Sequence, residues 1–278
     1  MREFLTIFFA LMFETTPFLL LGVVLSALAG PWLASAMTRH AFRQPAIGIA
    51  AGSAAGLLLP TCDCGSRPLA HRLTQAGARD FGIAMLVAAP VVNPIVIVTT
   101  WLAFRDADIV ILRLAGTVLI AVAAAIVVGR LRGPVALAGA AHSHGERLRD
   151  APARALDEFF ELFPYLVVGS GLAALLQTQI DRGVLTDTHG LVLSTLALMA
   201  LAFLLSICSS VDAFVVAGLG PQLGLGPTLA FLVFGPIVNL KSMPLYGRLF
   251  SAVTIALITG IAAQVSFGLA MIAELRAW

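Results

Sequence analysis

Three cysteines give this sequence its clearest chemical signal. Cys62 and Cys64 stand two residues apart between Pro60 and Pro68, and Cys208 lies in the second half of the chain. Thiolates bind Cu(I), Zn(II) and similarly thiophilic species. An extended backbone between the two prolines would allow both neighbouring sulfurs to reach one ion. We therefore predict that the three cysteines are metal ligands, the alternative being that they are small buried hydrophobic residues.

Four carboxylates lie in or beside apolar sequence. Asp63 and Asp212 belong to the cysteine segments, whereas Glu14 and Glu161 each precede a proline by three residues. A carboxylate inside a membrane usually faces a cavity or a partner. We predict that Asp63 and Asp212 line a substrate site, with Lys241 as the cation for Asp212. A purely structural ion pair is the alternative. The two glutamates are candidates for proton coupling, or for satisfying backbone carbonyls that the prolines free.

Two asparagines follow proline in apolar runs, Asn93 after Pro90 and Asn239 after Pro236. An amide can donate to and accept from a substrate, so both are predicted in the substrate site. Hydrogen bonding between helices is the alternative. Glycine-rich phosphate loops, Ser-His-Asp spacing and HExxH are missing from the sequence, which predicts no catalytic residue, no enzyme activity and no cofactor.

The composition places these residues in a membrane protein. Hydrophobic residues make up 59% and charged residues 12% of the 278, whereas a soluble domain has about a quarter charged residues. Eight stretches free of charge, apart from Glu14 in the first, are candidate helical spans: 4–30, 44–62, 81–104, 114–129, 162–180, 188–211, 213–240 and 249–273. The net charge of +2 leaves no basic surface for nucleic acid.

An internal repeat is visible in three blocks. FETTPFLLLG at 13–22 matches FELFPYLVVG at 160–169 at an offset of 147, and 59–64 matches 205–210 and 89–93 matches 235–239 at an offset of 146. The order of the blocks is the same in both halves. We therefore predict two homologous membrane repeats, 1–131 and 155–278, joined by a polar cytoplasmic linker at 132–154.

Duplicated helical halves are typical of secondary transporters, whose substrate site lies at the repeat interface and is formed by broken helices. The fold predicted is therefore an all-α integral membrane protein. Each repeat has about three full spans plus a broken or re-entrant helical hairpin. If the repeats are inverted, 12 of the 17 Lys and Arg lie on one side of the membrane. If all eight stretches span the membrane and the repeats are parallel, the 17 residues divide 10 to 7 between the two sides. The positive-inside rule favours the inverted arrangement.

Four sequence blocks carry a family resemblance. LPTCDCG at 59–65, APVVNP at 89–94, CSSVDAF at 208–214 and FGPIVNLK at 234–241 resemble the predicted permease family that includes the YraQ-type proteins and the organoarsenical efflux permease ArsP. The resemblance covers nearly the whole chain. It implies a multi-pass permease of the cell inner membrane, with some members exporting trivalent arsenicals or soft metal ions. It also implies that Cys62, Cys64 and Cys208 are substrate ligands.

The sequence therefore predicts a secondary permease that moves a thiophilic metal or metalloid species, with efflux implied by the resemblance. Its expected partners are the lipid bilayer, a small inorganic or organometalloid substrate, and a companion membrane or metallochaperone subunit. Two alternatives stay open. One is a permease for a sulfur-containing or anionic small solute, and the other is a non-transporting subunit of a membrane complex.

Overall fold

The computed structural model describes residues 2–37, 44–58, 63–130, 151–179, 190–218 and 224–276. Twelve α-helices and one short 3-10 helix, Leu240–Ser242, account for nearly all of these residues. The α-helices are α1 Arg2–Met37, α2 Pro45–Leu58, α3 Asp63–Gln75, α4 Arg79–Ala88, α5 Pro94–Phe104, α6 Ala107–Gly129, α7 Ala151–Gln179, α8 Leu191–Leu205, α9 Asp212–Gly218, α10 Leu225–Phe234, α11 Met243–Leu249 and α12 Ala252–Arg276.

Four of the described helices contain segments long and apolar enough to cross a membrane. These segments are Glu3–Leu25, Ala107–Gly129, Ala155–Leu175 and Ala252–Leu275, each of 21 to 24 residues. A hydrocarbon core about 30 Å thick needs about 20 helical residues, so each segment suffices. The helical membrane class predicted from the sequence is confirmed.

Helix α6 begins at Ala107, upstream of the predicted stretch 114–129. The predicted start was wrong because Arg113 ends the charge-free stretch in the sequence. In the structure Arg113 lies inside α6 and is only 1% exposed. Its charge is compensated by groups on other elements, so it does not end the helix.

The prolines break two of the apolar runs as predicted. Helix α4 ends at Ala88, and α5 begins at Pro94 with Asn93 as its N-cap. In the second half, α10 ends at Phe234, and the 3-10 helix begins after Asn239. Proline removes a backbone donor, so each apolar run is divided into two short helices with an irregular segment between them.

The helix bounds recur at the offset of the sequence blocks. Helices α4 and α10 are separated by 146 residues at both ends, and α2 and α6 correspond in the same way to α8 and α12 within two residues. Packing recurs as well, since α2 packs against α4 as α8 packs against α10. Corresponding helices also meet each other: α1 packs against α7, and α6 packs against α12.

Glycine residues allow neighbouring helices to approach closely. A Cβ at Gly56 of α2 would overlap backbone atoms of Ala89 and Val92, next to the break after α4. A Cβ at Gly22 of α1 would overlap the backbone of Gly65 in α3. Close backbone approach at glycine is a common way for helices to associate in membranes. These contacts hold α2 against the break after α4, and α1 against α3.

Candidate functional site

A buried ion pair connects elements from the two halves of the chain. Arg113 of α6 donates through Nη2 to Asp212 Oδ2 of α9 at 2.6 Å, and the two residues are 1% and 3% exposed. The same guanidinium donates through Nη1 to Thr100 Oγ1 at 2.7 Å and through Nη2 to the Ser209 carbonyl at 3.3 Å. One planar cation thus holds three oxygen acceptors, which suits the forked geometry of arginine.

The Cys208 segment, residues 206–212, positions Asp212. Helix α8 ends where Ser206 adopts a left-handed conformation, with φ of 50°. The Cys208 carbonyl then accepts from the backbone N–H groups of Val211 and Asp212 at 2.9 and 3.1 Å, which closes a turn before α9. The Ser210 hydroxyl donates to the half-buried Cys208 Sγ at 3.4 Å. Cys208 therefore lies on an irregular turn, as expected for a broken-helix site.

The Cys208 segment docks on the break between α4 and α5. Ser209 Oγ donates to the Pro90 carbonyl at 2.8 Å, and both groups are buried. Beside it, Asn93 Oδ1 accepts from the Ile95 N–H at 3.0 Å and so caps α5. Carbonyls freed inside a membrane need protein or water donors. Here the donor for one freed carbonyl comes from the other half of the chain.

The second break is satisfied mainly by its own residues. Asn239 Nδ2 donates to the Gly235 carbonyl at 3.3 Å, and its Oδ1 accepts from the Ser242 N–H at 3.1 Å. Lys241, which is 1% exposed, donates its backbone N–H to Ser206 Oγ at 3.2 Å. The two predicted asparagines therefore act as caps at corresponding breaks, and Lys241 is held next to the Cys208 segment.

The predicted partner of Asp212 was wrong. The cation bonded to the Asp212 carboxylate is Arg113, whereas the sequence had suggested Lys241. Lys241 lies two residues after Asn239 in the sequence, but closeness to a motif does not fix the direction of a side chain. Arg113 lies 99 residues from Asp212, and only the packing of α6 against the Cys208 segment brings the two together.

The first cysteine block lies largely outside the described residues. Cys62 is outside them, and so are the side chains of Asp63 and Cys64, although both residues belong to α3. The extended backbone expected up to Pro68 was wrong, because Pro68 lies inside this helix. Elsewhere in the described part of the chain, no three His, Cys, Asp or Glu side chains are grouped to hold a metal. The three-thiol site stays a prediction.

Helix α3 carries buried cations that sequence reasoning missed. Arg67 is 1% exposed, and its guanidinium carbon lies 4.3 Å from the centre of the Tyr246 ring. His71 is buried to the same degree, and Arg72 forms an ion pair with Glu158 of α7. Residues 67–75 belong to α3, although their charges are typical of a loop between membrane helices. The spacing of Arg67 and His71, four residues apart, would have indicated that they share one face of a helix, but only the packing shows that this face is buried.

The two predicted proton-coupling glutamates have different surroundings. Glu161 of α7 forms an ion pair with Arg248 of α11, with side chains 31% and 29% exposed. Glu14 is half-buried on α1 and forms no ion pair within the described residues. Their positions correspond in the repeat, but among the described residues a cation lies beside Glu161 and none lies beside Glu14.

Comparisons with known proteins agree on one family. The ArsP_1 family model, described as "Predicted permease", matches residues 1–275. A Streptococcus mutans protein named "Putative two-component membrane permease complex subunit" is 32% identical over 260 residues, covering 88% of this chain and 86% of its own length. The Bacillus subtilis "UPF0718 protein YcgR" is 32% identical over 254 residues, covering 86% and 85%. No solved structure matches the chain.

Proposed function

We propose that this chain, which belongs to the ArsP_1 family of predicted permeases, is a secondary permease for a thiophilic metal or metalloid species. Family membership and the apolar helices make it a multi-pass membrane protein. The observation that carries the proposal is the docking of the Cys208 segment on the break between α4 and α5. An irregular segment that bears a thiol, at the junction of two halves, is the kind of place where secondary transporters bind substrate.

The proposed architecture is two inverted repeats, 1–131 and 155–278, with the cytoplasmic linker between them. The recurrence of helix bounds at 146 residues supports the duplication. The meeting of corresponding helices, α1 with α7 and α6 with α12, is what a pseudo-two-fold axis produces. Rocking of one repeat against the other would expose the site alternately to each side of the membrane.

The proposed substrate ligands are the thiolates of Cys62, Cys64 and Cys208. Thiols lose their protons when they bind a metal, so proton binding and substrate binding compete at the site. Glu14 and Glu161 are proposed to couple proton movement to transport, because carboxylates within spans commonly serve proton pathways. Transport outwards across the inner membrane is proposed from the family resemblance.

The remaining polar residues of the site are proposed to shape it around the thiols. Asp63, Asp212 and Lys241 balance charge, and Asn93 and Asn239 cap the broken helices next to it. The name of the Streptococcus mutans relative describes a complex subunit, which supports a companion subunit for this chain as well. Association with a metallochaperone would deliver a thiophilic ion without releasing it.

Binding by the purified protein tests the thiol site. The wild type is compared with a C62S/C64S/C208S variant and with S170A, a matched change at a buried serine of α7. Zn(II), Cu(I), arsenite and a trivalent methylarsenical are titrated while free thiols are counted, and the same species are then followed in proteoliposomes. We expect one species to bind and move with wild type and S170A only. Equal binding and transport by the triple-serine variant would refute the thiol site.

A second candidate substrate is an anionic small solute. It is favoured by three buried basic residues, Arg67, Arg113 and Lys241, each 1% exposed. Charged residues buried in a membrane commonly mark a substrate or ion pathway, and basic side chains suit an anionic substrate. Uptake of radiolabelled sulfate into metal-free proteoliposomes, unchanged in the triple-serine variant, would favour this candidate over the first.

A further inference from the structure

We propose that His71 is a proton-binding residue through which protonation controls a contact between the two halves of the chain. Helix α3 of the first half packs against α11 of the second half, and His71 is 1% exposed at that contact. Histidine is the side chain that ordinarily exchanges its proton between pH 5 and 8. A histidine buried in a membrane protein commonly belongs to a proton pathway. The link from His71 to transport rests on the proposed function, whereas the link to the contact does not.

Two aromatic rings of the second half face two basic residues of α3. The Arg67 guanidinium carbon lies 4.3 Å from the centre of the Tyr246 ring. The His71 ring meets the Phe250 ring edge to face, with the ring centres 5.7 Å apart. Arg67 and His71 are four residues apart and therefore share one face of α3. The two ring contacts thus form one interface between the halves, and His71 is part of it.

The hydrogen bond between His71 and Gln75 suits both protonation states of the ring. Gln75 Nε2 lies 3.2 Å from His71 Nε2. An amide nitrogen only donates, so His71 Nε2 accepts, and a neutral ring then carries its proton on Nδ1. A protonated ring has N–H groups at both nitrogens and needs an acceptor at Nε2. Half a turn about the last side-chain bond of Gln75 presents Oε1 instead of Nε2, so the same partner serves the imidazolium.

Protonation of His71 adds positive charge to a part of α3 that already has two guanidinium groups. Arg67 lies one helical turn before His71, and Arg72 is the next residue. Arg72 is paired with Glu158 of α7, which belongs to the second half. Like charges four residues apart on a helix repel each other, and a low dielectric strengthens the repulsion. Proton binding at His71 therefore favours separation of α3 from α11, and loss of the proton favours the contact.

The elements packed against α3 carry further charged and titratable groups. Helix α3 packs against α1, α4 and α11, and α7 packs against both α1 and α11. The described groups on the three neighbours of α3 are Arg2, Glu3 and Glu14 of α1, Arg79 and Asp80 of α4, and Tyr246 and Arg248 of α11, while α3 itself also carries Asp63 and Cys64. Arg248 is paired with Glu161 of α7. His71 thus lies at a contact bordered by the helices that carry both glutamates proposed above for proton coupling.

Nuclear magnetic resonance tests the protonation of His71 without any substrate. The five histidines of the chain are labelled with nitrogen-15, the protein is purified in detergent, and the H71Q variant identifies the signals of His71. We expect the neutral form with its proton on Nδ1 at pH 8 and the imidazolium at pH 5. A ring that keeps one protonation state over this range would overturn the proposal.

Spin labels test the effect of that proton on the contact between the halves. Labels are attached at A76C, directly after α3, and at G247C, in α11, in a chain whose three cysteines are replaced by serine. Lowering the pH from 8 to 5 should raise the population with the longer distance at least about fivefold. The response should be lost in H71Q and kept in H144Q, the matched control in the predicted linker. A response that persists in H71Q, or that is absent with His71 in place, would overturn the proposal.

Transport distinguishes failure of this proposal from failure of the proposed function. Proteoliposomes that contain the pH indicator pyranine record proton movement while Zn(II), Cu(I), arsenite and a trivalent methylarsenical are added in turn. One species should move together with protons in wild type and H144Q, and the proton movement should be lost in H71Q. Equal proton movement in H71Q would overturn the role of His71 in transport. If His71 takes up its proton and controls the label distance but no species moves, the proposed function is refuted and the proton-binding role stands.

Discussion

Removing one partner of the ion pair between Arg113 and Asp212 should strongly destabilise the contact between the two halves. Removing one partner leaves the other charge buried, which costs about 3–5 kcal/mol for pairs of this kind. R113Q leaves the Asp212 carboxylate at 3% exposure without its cation. The double variant R113Q/D212N buries no charge and loses hydrogen bonds, each worth about 1 kcal/mol. We therefore expect the double variant to be more stable than R113Q.

A double-mutant cycle measures this coupling directly. The free energy of unfolding is obtained from titration with sodium dodecyl sulfate in mixed micelles, followed by far-ultraviolet circular dichroism. The control cycle uses E161Q and R248Q, whose side chains are 31% and 29% exposed in the wild type. A pair that solvent reaches contributes about 0–1 kcal/mol. The coupling energy at Arg113 should therefore exceed that at Arg248 by several-fold.

Two results would contradict this reasoning. If the effects of R113Q and D212N add to within about 0.5 kcal/mol, the two groups do not interact as their 2.6 Å separation requires. If R113Q/D212N is less stable than R113Q, the cost of removing Arg113 lies in lost packing around its long side chain and not in an uncompensated carboxylate.

Two further predictions concern the packing that supports the site. Replacing Gly22 by Leu should separate α1 from α3 and lower thermal stability in detergent markedly, because even a Cβ there overlaps the backbone of Gly65. The matched change of Gly268 to Leu, where a Cβ meets nothing within 4 Å, should have little effect, and equal losses would refute the close approach. Replacing Ser209 by Ala leaves the Pro90 carbonyl without its donor and should cost about 1–3 kcal/mol in unfolding free energy, measured by the same titration. An unchanged unfolding midpoint would show that this carbonyl does not depend on the serine.

Features that depend on neighbouring residues could be predicted from the sequence. The apolar run that forms α4 and α5 is interrupted at Pro90 and Pro94, because proline lacks the N–H that would bond to the carbonyl four residues earlier. Membrane class likewise follows from runs of apolar residues of sufficient length. The family followed from four short blocks, and the match over residues 1–275 confirms it.

The ion pair could not be predicted, because it depends on contacts between distant parts of the chain. Arg113 interrupts the charge-free stretch in the sequence although it is buried in the fold, so the stretch 114–129 is shorter than α6. The length of the remaining stretch was itself a signal. Residues 114–129 are too few to cross a membrane that requires about 20, so the span had to continue past the charge.

Burial of basic residues also affects the predicted topology. The positive-inside rule applies to residues in loops, yet Arg67, Arg113 and Lys241 are each 1% exposed within the packed structure. These three residues cannot report the side of the membrane on which a loop lies. When they are left out, the inverted arrangement still has the larger excess of Lys and Arg on one face. The preference for inverted repeats therefore does not depend on charges that are buried.

A broken helix in lipid needs a donor for each carbonyl that it frees, and the source of the donor determines what the break can do. The break after α10 is capped by Asn239 of its own segment, so it keeps its bonds if the halves move. The Pro90 carbonyl takes its donor from Ser209 of the opposite half, so it loses that bond if the halves separate. Arg113 spans the same boundary through Ser209 and Asp212. If the halves move relative to each other, these bonds of the Cys208 segment must break or rearrange, and the segment carries the proposed thiol ligand.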